Sequence, residues 1–199
     1  MNVEIVDAFN RFAEQYADFT FNNILQYELN RFISLIPANG AVLDLGCGSG
    51  RDVQYFLDYK LNPLGIDASE NLIIEARKRV EKGKFEVMDV NNLTLGDGSF
   101  DGVWAQDIVS YVPKDGILSI FKKLFNILRK DGMLFVSVRQ GKDEVLIAHE
   151  KLGKKEILVA FFEKKELELL LKKSGFEISN SYTQDGEDFK WINVFAKKV

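Results

Sequence analysis

The stretch Ala41-Val-Leu-Asp-Leu-Gly-Cys-Gly-Ser-Gly-Arg-Asp52 decides how this chain folds. Ala41–Leu45 is a short apolar run with one acid in it, the length of a buried strand. Gly46, Gly48 and Gly50 follow at alternate positions, and Val53, Phe56 and Leu57 then recur at helical spacing. A strand therefore runs through a glycine loop into a helix. Glycines let the backbone turn tightly and let a ligand approach the amides and the helix N-terminus. In an open parallel sheet, ligands bind there, beyond the C-terminal ends of the strands. The dinucleotide fingerprint needs a third glycine where this chain has the bulky, charged Arg51. Asp44 would repel a pyrophosphate but suits an ammonium group, which points away from a nicotinamide oxidoreductase and towards a cofactor carrying an amino acid. No G-K-[ST] follows, so the loop is not a phosphate-binding P-loop.

Outward from this loop, strands and helices alternate. Asn62–Ile66 is a second strand ending at Asp67, and Ser69 can cap a helix carrying Leu72, Ile73, Ala76 and Val80. Phe85–Met88 is a third strand ending at Asp89. A turn-rich stretch, 95–99, leads to a fourth at Phe100–Ala105. Ile117, Ile120, Phe121, Leu124 and Leu128 mark an amphipathic helix stopped at Asp131-Gly132, and Met133–Val138 is a fifth strand. This alternation predicts right-handed crossovers and a parallel sheet covered on both faces. Before it, the first 36 residues read as helix. Ile5, Phe9, Phe12 and Tyr16 form an early turn or two, and Phe21, Ile24, Leu25, Leu29, Phe32, Ile33 and Ile36 share one face up to Pro37. After it, Gln140–Leu158 is mixed and polar, Glu163–Lys173 is a helix, and Phe176–Tyr182 and Trp191–Ala196 are strands joined as a hairpin. One domain over 1–199 is the reading, with a helical lid at 1–37, a cofactor-binding core at 38–140, and a substrate-side insertion with C-terminal strands at 141–199.

Three successive strand ends offer acids. Asp44 suits an ammonium. Asp67, about twenty residues further on, suits two ribose hydroxyls. Asp89 can accept from an adenine amino group. Composition restricts the rest. The chain has 199 residues, 46% hydrophobic and 28% charged, with net charge −4. That charge argues against a nucleic-acid partner. Cys47 is the one cysteine and His149 the one histidine, so neither a disulfide within the chain nor a Cys or His metal cluster can be built from them. No apolar run is long enough to span a membrane and the N-terminus lacks a signal-peptide pattern, so the cytoplasm is the expected compartment.

The combination LDLGCGSGRD, GIDAS, FEVMDV, SFDGVWAQDIVSYVP and LRKDGMLFVSV resembles the class I S-adenosylmethionine-dependent methyltransferases, over Tyr16 to Val199. The resemblance implies a Rossmann-like, doubly wound, seven-stranded and mostly parallel sheet with a reversed last strand, in three αβα layers under an N-terminal helical cap. It implies S-adenosylmethionine as cofactor and S-adenosylhomocysteine as product. Asp44 and Gly46 would then lie near the methionine portion, Asp67 on the ribose, Asp89 and the Val90 amide at the adenine, and Gln106 near the methionine moiety, with Gly48 and Ala68 also among the cofactor-binding residues. Arg51 would face the cofactor carboxylate or form a surface salt bridge.

Displacement at a sulfonium leaves a good neutral leaving group, so alignment and desolvation do much of the work and a base is optional. The resemblance also narrows the acceptor. A cytosine-C5 enzyme or a thiol-dependent arsenic methyltransferase would need a cysteine outside the glycine loop. The adenine-N6 type has D/N-P-P-Y where this chain reads Ala105-Gln-Asp-Ile108, and the paired acids of metal-dependent catechol enzymes are not evident beyond Asp107. No metal is expected. The substrate-side candidates are Tyr16, Tyr111, Arg139, which could pair with an anionic acceptor, and His149, which could act as a base. Trp191 reads as core and Cys47 as a small packing residue. Lys151, Lys154, Lys155, Lys164 and Lys165, interleaved with glutamates, read as a solvated helix face. The expected activity is methyl transfer to a small molecule. The alternatives are a cofactor-binding protein or partner subunit without turnover, and methylation of tRNA or protein.

Overall fold

The computed structural model describes residues 2–199. The chain begins with α1 (Val3–Arg11), whose Asn2 cap accepts the Glu4 N–H at 2.9 Å. It continues through α2 (Ala13–Thr20) and α3 (Gln26–Ser34). The single apolar face expected from Phe21 to Ile36 is corrected here. The chain leaves the helix after Thr20 and Ile24 is 43% exposed, while Leu29, Phe32 and Ile36 go into the core. The expected lid at 1–37 is divided accordingly. The α3 side chains pack against the sheet with Trp104 and Phe135, whereas α1 and α2 pack elsewhere.

The sheet then builds in sequence: β1 (Ala41–Leu45), α4 (Arg51–Asp58), β2 (Asn62–Asp67), α5 (Glu70–Arg79), β3 (Lys84–Val87), β4 (Phe100–Gln106), α6 (Ile117–Ile127) and β5 (Leu128–Arg139). Two departures from expectation are local. The α6 helix stops at Ile127 and β5 starts at once, with Asp131 in the left-handed region at φ 66°. The third strand ends at Val87, leaving Asp89 to cap a short 3-10 turn.

The largest departure is in 140–158, read as mixed and polar. It forms β6 (Glu144–His149) and β7 (Lys155–Ala160), an antiparallel hairpin outside the main sheet. Its turn uses left-handed backbone at Gly153 and Lys154. The lysines read as one helix face are therefore split between this hairpin and α7 (Lys164–Lys173). The hairpin, α1 and α2 share a small core that includes Phe9, Leu152, Ile157 and Val159. After α7 come β8 (Phe176–Asp185) and β9 (Lys190–Lys198). The main sheet has seven strands in the order β3-β2-β1-β4-β5-β9-β8. All are parallel except β9, which runs antiparallel to both neighbours.

Strand alternation separates the two faces. Leu43, Leu45, Val103, Ala105, Leu134, Val136, Ile192 and Val194 join one core with α6 and α7. Val42, Trp104, Phe135 and Phe195 join the other with α3 and α4. Along that second face, towards the C-terminal ends of the parallel strands, the same parity delivers Asp44, Gln106, Ser137, Arg139, Asn193 and Trp191. The apolar face thus becomes a polar floor.

Candidate active site

That floor opens into a cavity of about 900 Å³, walled also by the glycine loop, Tyr16 of α2, His149 of β6 and the β8–β9 turn. The glycine loop is strapped to its neighbour strand: Gly46 and Cys47 donate N–H bonds to the Ile66 carbonyl at 2.8 and 2.9 Å, and Gly48 donates to Asp67 Oδ2 at 3.1 Å. Gly46 sits at φ 73°, and a Cβ there would lie 2.7 Å from Ile108 Cγ1, so the turn requires glycine. Cys47 is buried as a packing residue, and burial raises its thiol pKa well above the ordinary value.

Asp44 is 2% exposed, and its Oδ2 finds no donor in the protein. Burial, reinforced by the Asp52 carboxylate, lifts its pKa well above the usual carboxylate range. Arg51 forms a salt bridge, but not the surface one expected. Its Nε and Nη2 fork onto Asp52 at 2.7 Å each, Nη2 also donates to Gln106 Oε1, and its side chain is only 16% exposed. Asp52 is held in turn by Trp104 Nε1 at 2.9 Å. The result is a buried, cavity-lining bridge rather than a surface one.

Asp67 accepts N–H bonds from Gly48 and Ser69, yet burial outweighs them and pushes its pKa up to about 6. Asn10, at the end of α1, lies against this corner: its Oδ1 is 2.7 Å from Ser69 Oγ and accepts the Asn71 N–H at 3.1 Å. Asp89 accepts the Asn91 N–H at 2.8 Å. Asp67, Ala68, Asp89 and Val90 stand at the β2 and β3 strand ends and do not line the cavity.

The other side of the floor gathers all four substrate-side candidates. Arg139 Nη2 donates to Asp107 Oδ2 at 2.8 Å and to Tyr111 Oη at 2.9 Å. Tyr111 Oη also lies 3.3 Å from both Asp107 Oδ2 and His149 Nε2, with one proton to give to either. Burial opposes the Arg139 charge, but the Asp107 carboxylate prevails and holds its pKa above the ordinary value. Burial and the Arg139 cation push His149 down to about 4, so the imidazole is neutral at pH 7. Burial raises Tyr111 well above its usual value and Tyr16 to about 12. Tyr16 meets Phe9 edge to face at 5.2 Å and reaches over Gly48. Trp191, read as core, is instead half-buried on the cavity wall, its ring 5.7 Å from the Arg139 guanidinium.

Sequence reasoning passed over Asp52, Asp107, Ser137 and Asn193. A signal existed for two of them: Ser137 and Asn193 are single polar residues on the Phe135 and Phe195 parity of apolar strands, and they are 1% and 2% exposed. Among the described residues, no group of three or more His, Cys, Asp or Glu side chains is arranged to hold a metal ion, and no helix is long and apolar enough to cross a membrane.

Residues 42–132 match the family model of a methyltransferase domain, and the fold around them is that of solved S-adenosylmethionine-dependent methyltransferases. In this domain and in its fold the chain is similar to the class I S-adenosylmethionine-dependent methyltransferases. It is 34% identical over 111 residues to a trans-aconitate 2-methyltransferase of Sinorhizobium fredii, spanning 55% of this chain and 42% of that protein. It is 26% identical over 132 residues to a malonyl-[acyl-carrier protein] O-methyltransferase of Enterobacter lignolyticus, spanning 65% of this chain and 51% of that protein. The chain spans about half the length of these curated relatives, or less. A shared fold extends over 100% of this chain and 91% of the 1,6-didemethyltoxoflavin-N1-methyltransferase of Burkholderia thailandensis, solved with S-adenosylhomocysteine, at a TM-score of 0.76 and 21% identity.

Proposed function

We propose that this protein transfers a methyl group from S-adenosylmethionine to a small-molecule acceptor by direct displacement. The observation that carries this reading is Asp44: a buried carboxylate oxygen without a donor, on the cavity floor beside a glycine loop. An ammonium group would satisfy that oxygen and hold the carboxylate ionised. Gly46 and Gly48 leave the loop backbone open to the cofactor, Asp67 would accept from the ribose hydroxyls with Ala68 beside it, and Asp89 with the Val90 amide would hold the adenine. Gln106 and Arg51 would border the methionine portion.

When bound, S-adenosylmethionine supplies an electrophilic methyl group on a sulfonium that departs as a neutral thioether. The protein's share is to hold the acceptor in line and exclude water. Tyr16 of α2 and the β6–β7 hairpin cover the cavity for that purpose. His149, neutral at pH 7, can take a proton from an acceptor that must lose one. A half-open cavity of about 900 Å³ supports a small acceptor, as do relatives named for trans-aconitate and 1,6-didemethyltoxoflavin. Calorimetry with S-adenosylmethionine, S-adenosylhomocysteine and NAD tests the cofactor. Heat with NAD alone would remove the reading. A labelled-methyl transfer screen over metabolites, tRNA and protein extracts tests turnover and acceptor class, and methyl transfer only to tRNA or protein would replace the small-molecule assignment.

A further inference from the structure

We infer that the acceptor is a carboxylate, recognised through Arg139. The inference rests on the methyl-transfer reading for the word acceptor, but its evidence lies in a different part of the cavity. The Arg139 side chain is 5% exposed. A guanidinium carries five N–H donors, and Nη2 gives its two to Asp107 and Tyr111. Nε and Nη1 are buried and find no acceptor in the protein. Folded chains satisfy nearly all buried polar groups, and a charged donor left without a partner is the most expensive exception.

The side chain is nevertheless held in place. Phe189, Tyr111 and Trp191 stand around the guanidinium at 4.9, 5.6 and 5.7 Å. Arg139, Phe189 and Trp191 all line the cavity. A cavity-lining cation with unspent donors, surrounded by rings, fits a planar anion attached to an apolar body, and a carboxylate on an unsaturated or aromatic frame has that shape. Asp107 balances the Arg139 charge, so recognition here rests on the unspent donors rather than on net field. The turn at the cavity mouth carries Asp185, Glu187 and Asp188, and these exposed acids would favour a cation if charge alone decided. In water and salt they act weakly beside a desolvated guanidinium.

The test compares matched probes by calorimetry on the full chain saturated with S-adenosylhomocysteine: cinnamate against cinnamamide, benzoate against benzamide, and phenethylamine as a cation. The carboxylates are expected to bind at least tenfold tighter than their amides. Arg139→Gln should reduce that ratio to below about threefold while S-adenosylhomocysteine affinity stays within about threefold, and Arg139→Lys should retain part of it. Carboxylates binding no tighter than amides to the wild-type protein, an undiminished ratio in Arg139→Gln, or preference for the amine would each overturn the inference. The wild-type comparison decides the matter even if Arg139→Gln does not fold. Absence of S-adenosylhomocysteine binding would count against the methyl-transfer reading alone, because the carboxylate–amide ratio can be measured without it.

Discussion

The two halves of the cavity are built by different means. On the β1–β2 side, the groups that matter come from one strand–loop–helix–strand stretch and bond to one another, Gly46 and Cys47 to Ile66, Gly48 to Asp67 and Arg51 to Asp52, with Gln106 and Trp104 of β4 as outside supports. On the β4–β5 side, Asp107 and Tyr111 of the turn after β4 meet Arg139 because β4 and β5 pair, and His149 joins them because the β6–β7 hairpin folds across the strand ends. The first half is a local motif with one unspent acceptor, Asp44 Oδ2. The second is a longer-range network with unspent donors on Arg139, an unspent acceptor at Asp107 Oδ1 and a neutral imidazole. If the first half holds the cofactor as proposed, the other half can change without disturbing it.

Substitutions can break this division. The largest effect is expected from Asp44→Asn, which removes the charge an ammonium would need. S-adenosylhomocysteine affinity should fall on the order of a hundredfold, measured by calorimetry, and an unchanged affinity would place the ammonium elsewhere. Asp67→Ala should weaken the same affinity by at least about tenfold, because it removes the acceptor for two ribose hydroxyls. If the halves are independent, neither change will alter the carboxylate–amide ratio once the cofactor product is saturating.

The pH dependence sharpens the contrast, because acid acts on ligand affinity in one half and on fold stability in the other. Asp67, with its pKa near 6, and Asp44, also raised, bind ligand in their ionised forms. S-adenosylhomocysteine affinity should therefore fall as the pH drops through about 6, and Asp67→Asn should flatten most of that slope. Titration calorimetry from about pH 5 to about pH 7, one unit either side of that value, reads it directly. In the other half, His149 has a folded pKa of about 4 against an ordinary 6.5. Between those values the unfolded chain binds a proton that the folded chain does not, so this group makes stability fall as the pH drops through the window. The smallest effect is therefore expected from His149→Gln, which should lessen the acid-induced decline in Tm by a few degrees. An identical decline in the variant would show that the imidazole takes its proton without cost in the fold.

The residues passed over in the sequence share a cause. The glycine loop and the strand-ending acids announce themselves within a few positions, because tight turns need glycine and a carboxylate at a strand end is conspicuous. The β6–β7 hairpin did not. Val145, Leu146 and Leu158 are 44%, 61% and 38% exposed, so the apolar residues do not alternate with a single buried face. Residues 21–25 were misread for the opposite reason: helical spacing continued through a turn in which Phe21 packs against a different cluster and Ile24 is exposed. Asp107 carries no sequence signal for its role, since its left-handed backbone at φ 58° and its bond to Arg139 exist only once β4 and β5 pair.

By itself, then, the sequence determined the order of strands and helices in the main sheet, the position of the glycine loop, the acids at the strand ends and the likeness to a methyltransferase domain. Periodicity, turn chemistry and motif spacing are short-range properties, expressed wherever the chain happens to fold. The tertiary structure decided that Arg51 belongs to a buried bridge, that α3 belongs to the sheet rather than to the lid, and that Arg139, Asp107, Tyr111 and His149 form one network. Those outcomes depend on which groups lose water together, and desolvation is set by segments brought together from 30 to 40 residues apart in this network, a distance over which neighbouring sequence carries no information.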